Sequence, residues 1–212
     1  MTSNGSQNTL REMVPETRFG SNYVKVSFDA RHLKSAVVEG RAVADRISTA
    51  FALRLVQAFA SRLGYHEILD ELDYLEGITT KSRTKRARPF KGNALKPLWH
   101  KHFSAPRHMF KNIGIHWAVD KKDKPALDRL IAGIAEADSE RWIDQLCYQF
   151  VIGGYRERGE KRRLTGDWII FAKHNGRNYY LDIATHFEGS DDQALMKKIR
   201  YGSEAEFPFL FG

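Results

Sequence analysis

Two stretches of the sequence carry side chains that could move a proton or stabilise a negative charge. In the first, His100 and His102 lie two residues apart. On a β-strand both would project from one face, and Trp99 and Phe103 from the other. An imidazole titrates near neutral pH, at about 6.5, so a histidine in this position suits general acid–base catalysis.

Three interpretations of these histidines stay open. Beside Lys101 and Arg107, one of them could act as an acid or base or contact a phosphate. His-x-His also has the spacing of metal ligands, although the next acidic residue is Asp120 and no ligand set is complete nearby. Finally, both could be structural residues of an aromatic-rich strand.

The second stretch runs from residue 164 to residue 186 and predicts a β-hairpin. It reads LTGDWIIFAKHNGRNYYLDIATH, in which Asn175 and Gly176 separate two runs rich in Ile, Phe, Tyr and Trp. An Asn-Gly pair in this setting is the strongest short-range hairpin signal. The facing pairs are then Trp168 with Ile183, Ile170 with Leu181, and Ala172 with Tyr179.

The two faces of this hairpin differ in chemistry. The three pairs form an almost wholly apolar face, which we expect in the core. The other face carries Ile169, Phe171, Lys173, Asn178, Tyr180, Asp182, Ala184 and His186. Such a face predicts either the floor of a polar site or an ordinary solvated sheet surface.

Basic side chains cluster in two segments that flank these stretches. The first contains Lys81, Arg83, Lys85, Arg86, Arg88 and Lys91; the second contains Arg156, Arg158, Lys161, Arg162 and Arg163. Either segment could contact the phosphates of a nucleic acid, as could Lys101 and Arg107, or could form a solvated linker as charge runs commonly do. The formal net charge of +8 and a pI near 9.6 favour a polyanionic partner, as a bias only.

The cysteine content, the hydropathy and the absence of several motifs narrow the classes of site and protein to consider. A single cysteine, Cys147, excludes an intrachain disulfide and a cysteine-rich zinc site, and its apolar helical surroundings predict a buried structural thiol. No apolar run approaches the ~18 residues needed to span a membrane, and no signal-peptide core is visible. We therefore expect no membrane partner and a cytoplasmic protein. No P-loop, G-x-G-x-x-G or G-x-S-x-G motif is present.

The remaining sequence reads mainly as helices. A strand is predicted at 22–28, a cap at Asp29, a helix at 32–63 that Gly40 could break, and shorter helices at 66–75 and 123–135. Asp138 is predicted to cap a further helix that ends at Gly153-Gly154. Its inward residues would be Trp142, Ile143, Leu146, Cys147, Phe150 and Val151. The pattern Ser190 to Gln193 predicts a capping box, and the aromatic C-terminus is expected to dock on the body.

These elements predict an α+β fold with an N-terminal helical hairpin followed by a small antiparallel sheet packed with helices. The expected parts are a flexible tail at 1–22, a helical region at 23–77, a basic linker or loop at 78–95 and an α+β candidate catalytic domain at 96–212.

The sequence GDWIIFAKHNGRNYYLDIATH, after LWHKHF, resembles phage- and mobile-element-borne nucleases of the broad barnase/EndoU/colicin/RelE-like superfamily. The resemblance covers roughly residue 95 to the C-terminus. It implies a small antiparallel sheet with helices on one side and metal-independent RNA cleavage, without a cofactor. The candidate catalytic residues that it implies are His100, His102, Lys173, Tyr180 and His186, with no assignment of acid and base.

Three functions follow as hypotheses. The first is a metal-independent ribonuclease, such as a toxin or phage-defence effector, with RNA as substrate and a possible cognate inhibitor protein. In this hypothesis the 2′-hydroxyl attacks the phosphate, histidines act as acid and base, and Lys173 stabilises the negative charge. The second is a non-catalytic module that binds nucleic acid or protein, for instance a regulator or inhibitor encoded by a mobile element. The third is a metal-dependent hydrolase that uses His100, His102 and His186, which the lack of acidic ligands argues against.

Overall fold

The computed structural model describes residues 29–62, 64–135, 140–186 and 188–212, and the backbone of two short strands nearer the N-terminus. Those strands, β1 (Thr17–Phe19) and β2 (Asn22–Val24), pair antiparallel. The rest of the predicted tail, the end of the predicted strand at 22–28 and the predicted cap Asp138 lie outside the described residues.

The described chain is a mixture of α-helices and one larger sheet, which confirms the predicted α+β class. The helices are α1 (Ala30–Val37), α2 (Thr49–Ala60), α3 (Tyr65–Leu75), α4 (Met109–Trp117), α5 (Pro125–Ala135), α6 (Trp142–Tyr148), α7 (Gly154–Glu160) and α8 (Asp192–Ser203). The strands are β3 (Arg88–Pro89), β4 (Trp99–Phe103), β5 (Asp167–His174) and β6 (Arg177–Ala184). They form an antiparallel sheet in the order β3-β4-β5-β6.

Helices cover both faces of this sheet. On one face, Phe51 of α2 and Leu72 of α3 share a core with Phe171 of β5. On the other, Leu195 of α8 packs with Ile170 and shares a core with the C-terminal segment. The superfamily resemblance implied helices on one side only, and this expectation is wrong. Both faces bury apolar side chains because successive residues of β5 alternate between two helical layers.

The N-terminal helices form where the pattern predicted them, with one break. Glu39 and Gly40 have φ angles of 52° and 72°, and this left-handed backbone ends α1 close to the glycine expected to interrupt the long helix. The chain resumes as α2, where the Ser48 hydroxyl accepts the N–H of Phe51 at 2.9 Å. The predicted helix at 66–75 is confirmed as α3.

The hairpin of β5 and β6 turns at Asn175-Gly176 as predicted, and Ala172 faces Tyr179. Beyond Phe171 the register shifts by one residue, so Ile170 faces Asp182 and Trp168 faces Ala184. The predicted pairs Trp168 with Ile183 and Ile170 with Leu181 are therefore wrong. The cause is a β-bulge, which inserts one residue into β6 and moves the residues beyond it to the opposite face.

The C-terminal part also follows the sequence pattern, with a one-residue correction. Asp191, rather than Ser190, caps α8, and its carboxylate accepts the N–H groups of Gln193 and Ala194, each at 3.0 Å. The aromatic C-terminus docks as expected, because Phe207 is buried in the core under α8.

The helix pair around residue 150 departs from the predictions. Gly153-Gly154 does not end the helix, because a π-helical turn (Gln149–Gly153) carries the chain into α7. The side chains expected to face inward on α6 are largely exposed, including Trp142 at 49%, Ile143 at 57% and Cys147. Other helices already cover both faces of the sheet, so the apolar side chains of α6 have no access to either core. No helix among the described residues is long and apolar enough to cross a membrane.

Candidate functional site

The hairpin face predicted to be polar is mostly core. Ile169, Phe171 and Tyr180 are completely buried under α2 and α3. The Tyr180 hydroxyl donates to the Glu76 carboxylate at 2.6 Å, and burial followed by this contact raises the pKa of Tyr180 far above its usual value. Tyr180 thus fastens the end of α3 to the sheet, and it is not available for catalysis.

Lys173 is exposed but lies away from the predicted histidines. Its Nζ lies 3.9 Å from the centre of the Trp99 ring, a cation–π contact near the turn end of the hairpin. It lies five positions from Trp168 along β5, a distance of about 16 Å. The structure therefore separates Lys173 and Tyr180 from the histidines with which they were grouped.

The three predicted histidines do come together. His100 and His102 project from the same face of β4, as their spacing predicted, and the His102 ring lies 6.2 Å from Trp168. His186 lies two residues beyond the end of β6. Its ring centre lies 5.6 Å from that of His102 and 4.8 Å from that of Trp168. We call His100, His102 and His186 the histidine cluster.

The members of the histidine cluster differ in burial and in pKa. Burial, followed by the charge of Arg88, lowers the pKa of His100 to about 4. Burial also lowers the pKa of His102 to about 4, against the opposing effect of a hydrogen bond to Gly166. His186 is the exposed member, and partial desolvation and the charge of Lys111 lower its pKa. Both β4 histidines are therefore neutral near pH 7.

The orientation of His102 follows from its contact with Gly166. Its Nδ1 lies 2.9 Å from the Gly166 carbonyl oxygen, while the Gly166 N–H lies at 3.5 Å from the same nitrogen. The shorter contact requires Nδ1 to carry the proton, since a carbonyl only accepts, and leaves Nε2 as the proton-accepting nitrogen. Nδ1 of His100 and Nε1 of Trp168 are buried, and neither has a hydrogen-bond partner among the residues that the structure describes.

One carboxylate beside the histidine cluster, that of Asp167, has no signal in the sequence pattern. Asp167 accepts a charged hydrogen bond from Arg107 and lies 3.4 Å from Nε2 of His108. Burial acts to raise the pKa of Asp167, but these two partners outweigh it and hold the pKa at about 2. Asp167 in turn acts to raise the pKa of His186. Arg107, predicted to contact phosphate, is thus already engaged by a carboxylate.

A basic groove lies next to the histidine cluster and joins the two basic segments. It has a volume of about 640 Å³. Its lining consists of Lys85, Arg86, Arg88, Ile115, Arg158, Lys161, Arg162 and Arg163. The other predicted phosphate contacts of the two segments, Lys81, Arg83, Lys91 and Arg156, do not line it. Arg88 of the groove faces His100 across the β3–β4 pair, so groove and cluster adjoin.

Backbone pairing holds the two walls of the basic groove together. The Lys85 N–H donates to the Leu164 carbonyl at 3.3 Å, and the Leu164 N–H donates to the Arg83 carbonyl at 3.2 Å. Within the described part of the chain, Lys85, Arg86, Arg88 and Arg163 form no ion pair with a carboxylate. Lys161 of the lining pairs with Glu157, so the groove keeps a net positive charge that is only partly compensated. Surface charge of one sign attracts ligands of the opposite charge.

Lys101 does not belong to this groove, although it was predicted to contact nucleic acid. Its side chain is completely buried on the opposite face of β4 from the histidine cluster, against Glu71. A phosphate could not reach it.

Within the residues that the structure describes, no three side chains of His, Cys, Asp or Glu are arranged to hold a metal ion. The described residues therefore offer no set of metal ligands that would support the metal-dependent hypothesis. No protein-family model, curated protein or solved structure matches the chain. The resemblance to the nuclease superfamily accordingly stays a prediction, and function is inferred from the geometry and charge of the site.

Proposed function

We propose that this protein binds RNA in the basic groove and cleaves it at the histidine cluster without a metal ion. The observation that carries the proposal is the convergence of two basic segments, distant in sequence, beside the three candidate histidines. Lysine and arginine side chains without carboxylate partners bind phosphates and release counterions. The groove would hold the RNA backbone, and the adjoining cluster would act on one of its phosphodiesters.

The proposed reaction needs two proton transfers. The ribose 2′-oxygen attacks the adjacent phosphorus, its bond to phosphorus forms, and the bond from phosphorus to the 5′-oxygen breaks. A base removes the 2′-hydroxyl proton, and an acid donates a proton to the departing 5′-oxygen. The products are a 2′,3′-cyclic phosphate and a 5′-hydroxyl. Positive side chains offset the charge that develops on the phosphate oxygens.

His102 and His186 are the residues proposed for these transfers. The contact with Gly166 makes Nε2 of His102 a proton acceptor, which suits the base. His186 is exposed, and an acid requires its protonated form. Desolvation and the charge of Lys111 lower the pKa of His186, and the negative charge of Asp167 opposes that shift. With ring centres 5.6 Å apart, both could reach one phosphodiester. Arg88, across from His100, would supply the charge assigned earlier to Lys173.

A non-catalytic nucleic-acid-binding module is the second candidate, and the pKa values favour it. His100 and His102 have pKa values of about 4, so neither could donate a proton near pH 7, and His102 would be a weak base. This candidate needs only the basic groove. The ribonuclease would suit a cytoplasmic toxin or phage-defence effector with a cognate inhibitor protein. The binding module would suit a regulator or inhibitor encoded by a mobile element.

One experiment separates these candidates. Pure protein is incubated with total RNA in EDTA and, in parallel, with added Mg²⁺. Cleavage in EDTA that yields 2′,3′-cyclic phosphate ends supports the ribonuclease. Intact RNA with a gel shift supports the binding module. Cleavage only with Mg²⁺ contradicts the metal-independent mechanism, and intact RNA without a shift rejects both candidates.

A further inference from the structure

Lys101 is a buried cation that the proposed reaction does not use. Its Nζ lies 2.8 Å from a Glu71 carboxylate oxygen and donates to the Ser82 hydroxyl and the Lys85 carbonyl, each at 2.9 Å. It also donates to the Thr84 hydroxyl. Burial lowers the pKa of Lys101, and Glu71 opposes that effect.

Most of these partners belong to the segment that forms one wall of the basic groove. Thr84 lies between the groove residues and the buried pair, with its hydroxyl 2.8 Å from Glu71 and 2.7 Å from the His102 carbonyl. The Ser82 hydroxyl donates to Glu71 at 2.9 Å. The segment from 82 to 85 contains no regular helix or strand. These side-chain contacts therefore help to fix its conformation, together with the backbone bridge to Leu164.

The burial of the Lys101–Glu71 ion pair costs desolvation energy, which suits a role in conformational selection better than one in stability. Removing two charges from water is unfavourable, and an apolar pair of similar volume is often no less stable. Buried ion pairs of this kind can instead select one conformation, since each charge must find its hydrogen-bond partners. Here the selected conformation is the path of the chain that places Lys85, Arg86 and Arg88 along the groove.

We infer that the buried Lys101–Glu71 pair, through Ser82, Thr84 and the Lys85 carbonyl, positions the basic wall of the groove for binding the nucleic-acid backbone. Lys101 is thus a positioning residue for anion binding that contacts no phosphate itself. This inference rests on the nucleic-acid binding proposed above.

The test compares two variants with a charge control. Lys101→Met removes the buried cation, and Thr84→Val removes only the hydroxyl that links the pair to the basic segment. Thr84→Val leaves the net charge unchanged, so a loss of affinity could not come from weaker long-range attraction. The control is Arg31→Met, an exposed residue of α1 that does not line the groove and whose replacement removes one charge.

Binding is measured by fluorescence anisotropy with a short labelled single-stranded DNA, which lacks the 2′-hydroxyl and cannot undergo the proposed cleavage. We expect both variants to bind about tenfold more weakly than wild type, with a shallower dependence of log K on log salt, because fewer phosphate contacts form. Arg31→Met should retain the wild-type slope. Amide hydrogen exchange should accelerate at Lys85 and Leu164 and stay unchanged in β5 and β6.

The outcomes are distinguishable. If wild type shows no salt-dependent binding, the proposed function fails first. If wild type binds and folded Lys101→Met and Thr84→Val bind equally well, the positioning role is wrong. Should Lys101→Met fail to fold, Thr84→Val decides the question, since it leaves both charges in place.

Discussion

Thr84 and Leu164 lie side by side in a parallel bridge, although one belongs to the first basic segment and the other directly follows the second. Two hydrogen bonds flank the bridge and fix the separation of the two backbones. The pairing turns two separate runs of positive charge into opposite walls of one groove. Like charges in the two walls repel each other, and in the proposed function a bound phosphate backbone would offset this repulsion.

Both walls of the groove should contribute to binding. Arg86→Gln and Arg163→Gln, one from each segment, should each reduce the salt slope of nucleic-acid binding by about one, since each removes one phosphate contact. Affinity for single-stranded DNA across a salt series measures this. Arg31→Gln, outside the groove, serves as the control. An unchanged salt slope for one variant would show that its segment does not contact phosphates and is only a solvated surface.

His186 should matter for cleavage and not for folding. His186→Ala should lower RNA cleavage in EDTA by about a hundredfold or more, while its exposed position keeps the change in unfolding free energy within roughly 0.5 kcal/mol. Lys173→Ala is the matched comparison and should keep full activity, because its side chain rests on Trp99 at the far end of the hairpin. Full activity of His186→Ala would remove the proposed acid from the mechanism.

Stability should fall on mild acidification. The folded state lowers the pKa of His100 and His102 to about 4, against about 6.5 in the unfolded chain. Between these pH values the unfolded state binds more protons than the folded state. The free energy of unfolding that the two neutral histidines contribute is therefore fully present above about pH 6.5 and decreases as the pH falls toward 4. Urea unfolding at several pH values measures this loss. His102→Gln should lose less stability over this interval than wild type, whereas the exposed His66→Gln should behave as wild type does.

The hairpin core gives a further prediction. Leu181 is completely buried at the bulge, so Leu181→Ala should leave a cavity and cost about 2–5 kcal/mol of unfolding free energy. Tyr180→Phe should cost about 1–3 kcal/mol, because Glu76 loses the hydroxyl that donates to it. Thermal and chemical unfolding measure both. Tyr201→Phe, at an exposed position of α8, should be neutral, and equal effects of the two tyrosine variants would contradict the buried contact.

The sequence by itself determined the local elements of this protein. Asn175-Gly176 predicted the hairpin turn, and helical spacing predicted α2, α3 and α5. The two-residue spacing of His100 and His102 placed them on one strand face. These features depend on neighbouring residues, whose backbone preferences and periodicity act over a few positions.

Only the tertiary structure decided which of these residues meet. A single-residue bulge at Leu181 reversed which sheet face the later residues of β6 occupy. Packing of α2 and α3 buried Tyr180, which the strand pattern alone predicted on a polar face. Spacing also could not reveal the long-range contacts between Asp167 and His108, or between Thr84 and Leu164. Packing on both faces of the sheet selects these contacts, because it fixes which distant segments share each layer, and local periodicity contains no such information.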